Sequence, residues 1–347
     1  MFKRILVPLD GSTRAERAIP AAARIARATG GTIVLLRVVN PPVDYTVSLV
    51  QPALLTEPGM EAEIAEANRY LADLVETVLP KTIDIKTEVI SGAVTPTILG
   101  TIEEQQIDLM VICSHANTGI KRWILGSVAQ KVARHGPVPV LVLREDGTVP
   151  TAGASPDTTH PFRILVGLDG SALAEAALEP AAQLAAAFAA PAEGALHLVR
   201  VLHLSPVKAG EHTHDSEVTR QGQMDAKAYL DAIEQRLHEG MLAGLHLQVT
   251  SSTVLDADIA GTIIKVAETG ESTEGTGLFV GCDMIAMATH GRSGLQRWTL
   301  GSITEHVLGT TRLPMLIVHP QTTTTRDEER AGGEAVESER AAWTSLF

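Results

Sequence analysis

Two tandem α/β domains, each a parallel sheet with helices packed on both faces, are the fold class this sequence predicts. Three observations lead there. A chain of 347 residues is long for one hydrophobic core. Several blocks of it occur twice, in the same order. Within each copy, unbroken apolar runs alternate with helical patterns, as strands buried on both faces require.

The repeat is read directly from the residues. RILVPLDGS (Arg4–Ser12) returns as RILVGLDGS (Arg163–Ser171), and IVLLRVV (Ile33–Val39) as LHLVRVL (Leu196–Leu202). DLMVICSHANTGIKRWILGSVAQKV (Asp108–Val132) returns as DMIAMATHGRSGLQRWTLGSITEHV (Asp283–Val307), and VPVLVL (Val138–Leu143) as LPMLIV (Leu313–Val318). The offset between copies is 161 at Gly100 and Gly261 but 175 at Trp123 and Trp298, a net gain of 14 in the second copy. That gain falls at 268–282, around ETGESTEGTG, whose composition reads as a surface loop.

In the first copy Ile5–Leu9 is a short buried strand. A helix over Arg14–Thr29 follows, with Ala18, Ala22, Ile25 and Ala26 on one side. Thr13 and Glu16 offer a capping box at its start, and Gly30 ends it. Ile33–Val39 is the second strand, Met60–Leu79 a helix, Ile83–Ile90 a strand and Pro96–Gln105 a helix. Leu109–Cys113 is the fourth strand, Ser127–His135 the final helix and Val138–Leu143 the fifth strand. The domains run over 1–145 and 162–320. The Gly/Pro/Ser/Thr-rich stretch 146–161 is a linker. Residues 321–347 read as a disordered acidic tail, its end AAWTSLF being either solvated or a docking segment.

Composition removes several function classes. Aromatic residues make up 3%, so the cores are aliphatic and no stacking platform for single-stranded nucleic acid is available. A net charge of −13 repels nucleic-acid backbones and anionic lipid. No apolar run reaches the roughly 18 residues of a membrane helix. The Ala-rich stretch Ala174–Ala190, broken by Glu175, Glu179, Pro180 and Gln183, is a packed helix. Cys113 and Cys282 stand far apart and give no disulfide framework, and the start of the chain has no cleavable leader pattern. The cytoplasm is the expected compartment.

In an open parallel sheet, ligands bind beyond the carboxyl ends of the strands, where the winding reverses. The repeated blocks lie there. Asp10 and Asp169 close the first strand of each copy, and Val38 and Val201 lie near the end of the second. Gly126-Ser127 and Gly301-Ser302 stand just ahead of a helix, where free N–H groups and a positive dipole end can receive an anion. Each pair reads two ways, as a phosphate cradle or as plain capping by serine. Each aspartate is either an acceptor for a ribose or base edge or a turn residue.

Together these blocks resemble the universal stress protein (UspA) family, over essentially all of 1–145 and 162–320. ATP-binding members of that family carry Gly-x2-Gly-x9-Gly-(Ser/Thr). The second copy keeps that spacing as Ala288, Gly291, Gly301 and Ser302; the first reads Cys113, Ala116, Gly126 and Ser127. The resemblance implies tandem Rossmann-like domains of the adenine nucleotide alpha hydrolase-like type, each with a five-stranded sheet. It implies an intramolecular pseudo-dimer paired through the last strands, with a further homodimer of chains. ATP, with Mg²⁺, is the implied ligand.

By the resemblance, Asp169 and Val201 contact adenosine in the second site, and Met287 and Ala288 line the base. Gly291 and Arg292 lie along the phosphates, and Gly301, Ser302 and Ile303 cradle them. The matching first-site residues are Pro8, Asp10, Val38, Ala116, Gly126, Ser127 and Val128. A methyl group at 116 stands where backbone should meet phosphate, so the second site is the better expected site.

Other candidates carry less. His212, His214 and Asp215 have no counterparts in the first copy and read as a polar loop rather than a zinc site. His115 and His290 recur at the turn and either touch phosphate or orient the loop, the structural role being favoured; the pairs Arg122-Trp123 and Arg297-Trp298 read as anchors of the turn to its own domain. No catalytic triad order or Walker lysine loop appears. The leading expectation is therefore a stress-responsive ATP-binding module that works by conformational change rather than as an enzyme. A non-nucleotide interaction protein and a weak ATP hydrolase are the other two readings.

Overall fold

The computed structural model describes residues 1–40, 57–78, 82–114, 126–145, 161–203, 214–241, 244–273, 277–279, 281–289 and 300–320. The expected linker and tail fall almost wholly outside these residues.

The first half runs β1 (Arg4–Leu9), α1 (Thr13–Glu16), α2 (Ala18–Thr29), β2 (Thr32–Val39), α3 (Glu57–Thr77) and β3 (Asp84–Ser91). It continues with α4 (Val94–Glu104), β4 (Leu109–Ser114), α5 (Ser127–His135) and β5 (Val140–Arg144). The second half repeats the plan with β6 (Arg163–Gly167), α6 (Ala172–Glu175), α7 (Leu178–Ala189), β7 (Gly194–His203) and α8 (His214–Arg236). After a π-helical turn at Leu237–Met241 come β8 (Leu247–Asp256), α9 (Ile259–Thr269), β9 (Glu271–Thr273) and β10 (Gly277–Phe279). β11 (Met284–Ala288), α10 (Ser302–Thr310) and β12 (Met315–Val318) complete it.

Ten strands form one sheet in the order β3-β2-β1-β4-β5-β12-β11-β6-β7-β8. Each half is parallel throughout, with the winding reversing between β1 and β4 and between β6 and β11. The halves meet where β5 and β12 pair antiparallel, Val142 opposite Met315, Leu141 opposite Leu316 and Val140 opposite Ile317. Arg134 reaches Glu305 across this seam at 2.7 Å. The buried guanidinium of Arg144 donates to the carbonyls of Leu308 and Leu313, and Arg24 donates to that of Phe188.

Alternation along the strands builds two aliphatic layers. Ile5, Val7 and Leu9 face α2, α3, α7 and α8, while Leu6, Met110 and Ile112 face α4, α5, α9 and α10. Each fully buried Leu or Ile contributes roughly 1.5–3 kcal/mol.

Several local expectations change. The helix expected over Arg14–Thr29 is two helices, α1 and α2, divided at Arg17. Pro20 thus lands in the first turn of α2, where its missing N–H costs nothing. The capping residue is Ser12, whose hydroxyl accepts from the Ala15 N–H at 3.2 Å, rather than Thr13. Glu16, freed from a capping box, accepts from Tyr70 Oη at 2.9 Å. Gly30 does end α2, with a φ of 60°. The Ala-rich run of the second half divides in the same way, into α6 and α7.

Part of the expected 268–282 loop is a short antiparallel hairpin, β9 with β10. Its arms are only three residues each, EST and GLF, too short for composition to separate a strand from a loop. α3 begins three residues before the expected Met60 and α4 two before Pro96, while β5 begins at Val140 rather than Val138. His214 and Asp215 open α8 rather than lying in a loop, and His212 lies outside the described residues. No described helix is long and apolar enough to cross a membrane.

Candidate functional site

Each half carries a cavity at the carboxyl ends of its strands, at the point where the winding reverses. The chain leaves β1 through Asp10, Gly11 and Ser12. Asp10 Oδ1 accepts from the Ser12 N–H at 2.9 Å and from its hydroxyl at 2.5 Å. The second half repeats this atom for atom, Asp169 Oδ1 accepting from the Ser171 N–H at 2.9 Å and its hydroxyl at 2.6 Å. Gly11 and Gly170 have φ of 85° and 86°, a conformation that leaves glycine the natural occupant. Burial by itself would raise the Asp10 carboxyl. The hydrogen bonds from Ser12 and the nearby Arg37 charge outweigh it and hold Asp10 below the ordinary carboxylate range.

Opposite these turns stand the first turns of α5 and α10. Gly126 and Gly301 occupy the N-cap positions, and no side chain caps either helix. Ser127 and Ser302 are the first helical residues, so the capping reading of the two serines does not hold. The N–H groups of the first helical turn have no carbonyl within the helix to meet, so they face outward as donors. The Gly301 N–H itself is used, donating to Thr289 O at 2.7 Å. Thr304 Oγ1 donates to Ala288 O at 2.9 Å and fastens α10 to β11.

The first cavity measures about 300 Å³, and Pro8, Asp10, Val38, Gly126, Ser127 and Val128 all line it. The second measures about 260 Å³, and Asp169, Val201, Met287, Ala288, Gly301, Ser302 and Ile303 all line it. Ala116, Gly291 and Arg292 lie outside the described residues, as do His115, His290 and the two Arg-Trp pairs. Every described member of the expected set therefore reaches one of two matching cavities. Both have aliphatic floors: Ile98, Met110 and Ile112 in the first, Ile259, Ile263 and Met287 in the second. Cys113 also lines the first cavity, and burial pushes its thiol up to about 11, which keeps it a neutral small side chain at ordinary pH. Among the described residues no cluster of His, Cys, Asp and Glu could hold a metal ion.

A second polar set, not singled out from the sequence, surrounds each aspartate. Arg37 lines the first cavity, and its guanidinium lies 3.4 Å from the Leu9 carbonyl. The Tyr70 phenol donates to Glu16. In the second half Tyr229 donates to Glu175 at 3.0 Å, Arg236 meets the same carboxylate at 2.5 Å, and Arg200 stands over the Tyr229 ring at 5.0 Å. Burial first, and the glutamate second, raise both phenols, so each stays a protonated donor. The signal was present: Glu16/Glu175, Arg37/Arg200 and Tyr70/Tyr229 are identical at matching places in the two copies.

The model of the universal stress protein family matches residues 1–144 and 162–319. Universal stress protein Rv2005c of Mycobacterium tuberculosis is 25% identical over 324 residues, covering 90% of this chain and 96% of its own. Universal stress protein YxiE of Bacillus subtilis is 29% identical over 148 residues, covering 42% of this chain and all of its own. Among solved structures, a universal stress protein from Archaeoglobus fulgidus superposes with a TM-score of 0.54 at 18% identity, covering 92% of this chain and 98% of that one. That likeness concerns the fold alone.

Proposed function

The chain belongs to the universal stress protein family, with both of its halves matched, and from that premise we propose that it is a cytoplasmic ATP-binding module of the stress response. The observation that carries the reading is the second cavity. There an uncapped helix N-terminus at Gly301-Ser302 faces a fixed carboxylate, Asp169, across an aliphatic floor. An anion belongs at the first, a hydroxyl or amino donor at the second, and a flat apolar ring on the third. An adenine nucleotide supplies all three. A cavity near 260 Å³ suits a nucleoside, with the phosphates at the rim.

In this reading Asp169 accepts from the ribose or base edge, and Val201, Met287 and Ala288 pack on the base. The N–H groups of Ser302 and Ile303 hold phosphate oxygens, with Gly301 giving the backbone room to approach. Gly291 and Arg292 continue the cradle, and Mg²⁺ would be held by the phosphates rather than by a protein cage. The first cavity has the same plan through Pro8, Asp10, Val38, Gly126, Ser127 and Val128. Ala116 in its cradle makes the second the preferred site. In this reading occupancy acts by changing conformation and partner surfaces rather than by turnover. The two domains, 1–145 and 162–320, act as an intramolecular pseudo-dimer through the β5–β12 seam, and whole chains pair further.

Denaturing freshly purified protein and quantifying the released nucleotide tests this. About one ATP per chain, lost in Gly301→Asp, is the expected result; about two would place a ligand in the first cavity as well. No released nucleotide, and no calorimetric binding of ATP with Mg²⁺, would overturn the reading and leave an interaction protein.

A further inference from the structure

Both halves place an arginine from the second strand over the Asp-Gly turn. A Cβ on Gly170 would lie 2.9 Å from Arg200 Nη2 and 3.0 Å from its Cζ; on Gly11 it would lie 3.6 Å from Arg37 Nη2. The guanidinium therefore rests on the bare face of the glycine, a fit that its planar fork allows and a rounder ammonium does not. Arg200 also stands over the Tyr229 ring, and Tyr229 is tied to Glu175. Glu175 lies in α6, the helix that the Asp169–Ser171 turn starts. The turn is thus held by its own serine cap and by the arginine packed on its glycine, and α8 is joined to it through the tyrosine. The first half repeats the arginine beside the glycine and the tyrosine bound to the glutamate, Arg37 by Gly11 and Tyr70 to Glu16.

We propose that Arg200, and Arg37 in the first half, are positioning residues: each holds the Asp-Gly turn so that the aspartate keeps its place in the cavity wall, where the ligand is read. The proposal rests on the nucleotide reading of the cavities and adds to it the residue that acts through Asp169. The guanidinium also balances the negative charge that Asp169 and Glu175 bring to one small region. A carboxylate so balanced and so fixed loses little freedom when a ribose hydroxyl or base amino group arrives.

The test is a double-mutant cycle in the full chain, with ATP and Mg²⁺ binding measured by calorimetry at neutral pH on the wild type, Arg200→Met, Asp169→Asn and the double variant. Arg200→Lys is the conservative partner, and thermal melting of each protein reports folding. Arg200→Met should weaken ATP about tenfold and Arg200→Lys should recover part of that loss. The double variant should bind within about twofold of Asp169→Asn alone, because two residues acting as one unit do not add. Additive losses, or Arg200→Met binding as the wild type does, would overturn the proposal while leaving the nucleotide reading intact. Should Arg200→Met fail to melt as a folded protein, Arg200→Lys and its double with Asp169→Asn decide the same question. A wild type that binds no ATP would overturn the reading and this inference with it.

Discussion

Replacing Gly301 with alanine puts a methyl group 2.9 Å from the Thr289 carbonyl oxygen, well inside ordinary contact. The backbone there has φ −57° and ψ 143°, open to any residue, so the cost comes from the contact and not from strain. Relief requires the turn between β11 and α10 to open by about half an ångström, lengthening the 2.7 Å bond from the Gly301 N–H to Thr289 O. Overpacking of this kind costs about 1–3 kcal/mol, and each kcal/mol lowers the melting temperature by about 2–4 °C in domains of this size. The same opening shifts the first turn of α10, which shares the cavity wall with Asp169. ATP affinity should therefore fall at least about tenfold, the equivalent of about 1.4 kcal/mol. Gly309→Ala is the matched control, since a Cβ there meets nothing within 4 Å. It should stabilise by about 0.5–1 kcal/mol and leave binding unchanged. Scanning calorimetry and titration calorimetry on the two variants read both effects. If Gly301→Ala melts with the wild type and keeps its nucleotide, the contact does not govern the cradle.

Four further outcomes are expected. Ser171→Ala removes the cap on α6 and the hydroxyl's hydrogen bond to Asp169, leaving the one from the backbone N–H, and should cost about 1 kcal/mol in urea unfolding together with weaker nucleotide binding. Arg144→Ala strips the Leu308 and Leu313 carbonyls of a buried donor at the seam, and should cost about 2–4 kcal/mol by the same assay. Asp10 has its carboxyl lowered in the folded protein, so its contribution to stability is present above the unfolded value near 3.9 and is lost as pH falls through the folded one. Asp10→Asn should therefore flatten the acid limb of the stability profile; an unchanged limb would show that Asp10 contributes nothing there. The raised Cys113 thiol should react slowly with iodoacetamide at pH 7.5 and faster as pH approaches 11, and slowing by added ATP would show a ligand in the first cavity.

The topology and the cavities were legible because their signals are long-range and redundant. Two copies of RILVxLDGS and of the Gly-Ser turn fix what each strand end must hold, whatever the exact boundaries. The errors are local. Thr13 and Glu16 matched a capping box by residue type, yet Ser12, one place earlier, sits where extended backbone lets a hydroxyl turn back on the helix. The sequence could not show that Glu16 is engaged by Tyr70, 54 residues away. The Arg37 set was missed for a similar reason. Its arginine lies inside an apolar run that reads as plain strand, and only the fold brings it over Gly11. The hairpin in the 268–282 insertion went unread because three-residue strands leave no periodicity to detect.

The seam between β5 and β12 bears on how the two halves can change over time. Its central pair, Leu141 and Leu316, are counterparts in the repeat, so each copy meets its own equivalent there. Two separate chains joined in that way would share one gene, and every substitution would strike both cavities together. Here the tether keeps the stoichiometry at one to one while each cavity drifts alone. Pro8 has become Gly167, Ile112 has become Met287 and Cys113 has become Ala288, all without touching the seam. Because the strands on either side of it run in opposite directions, the cavities open at opposite ends of the sheet. The lining of one cavity can be held fixed while that of the other changes.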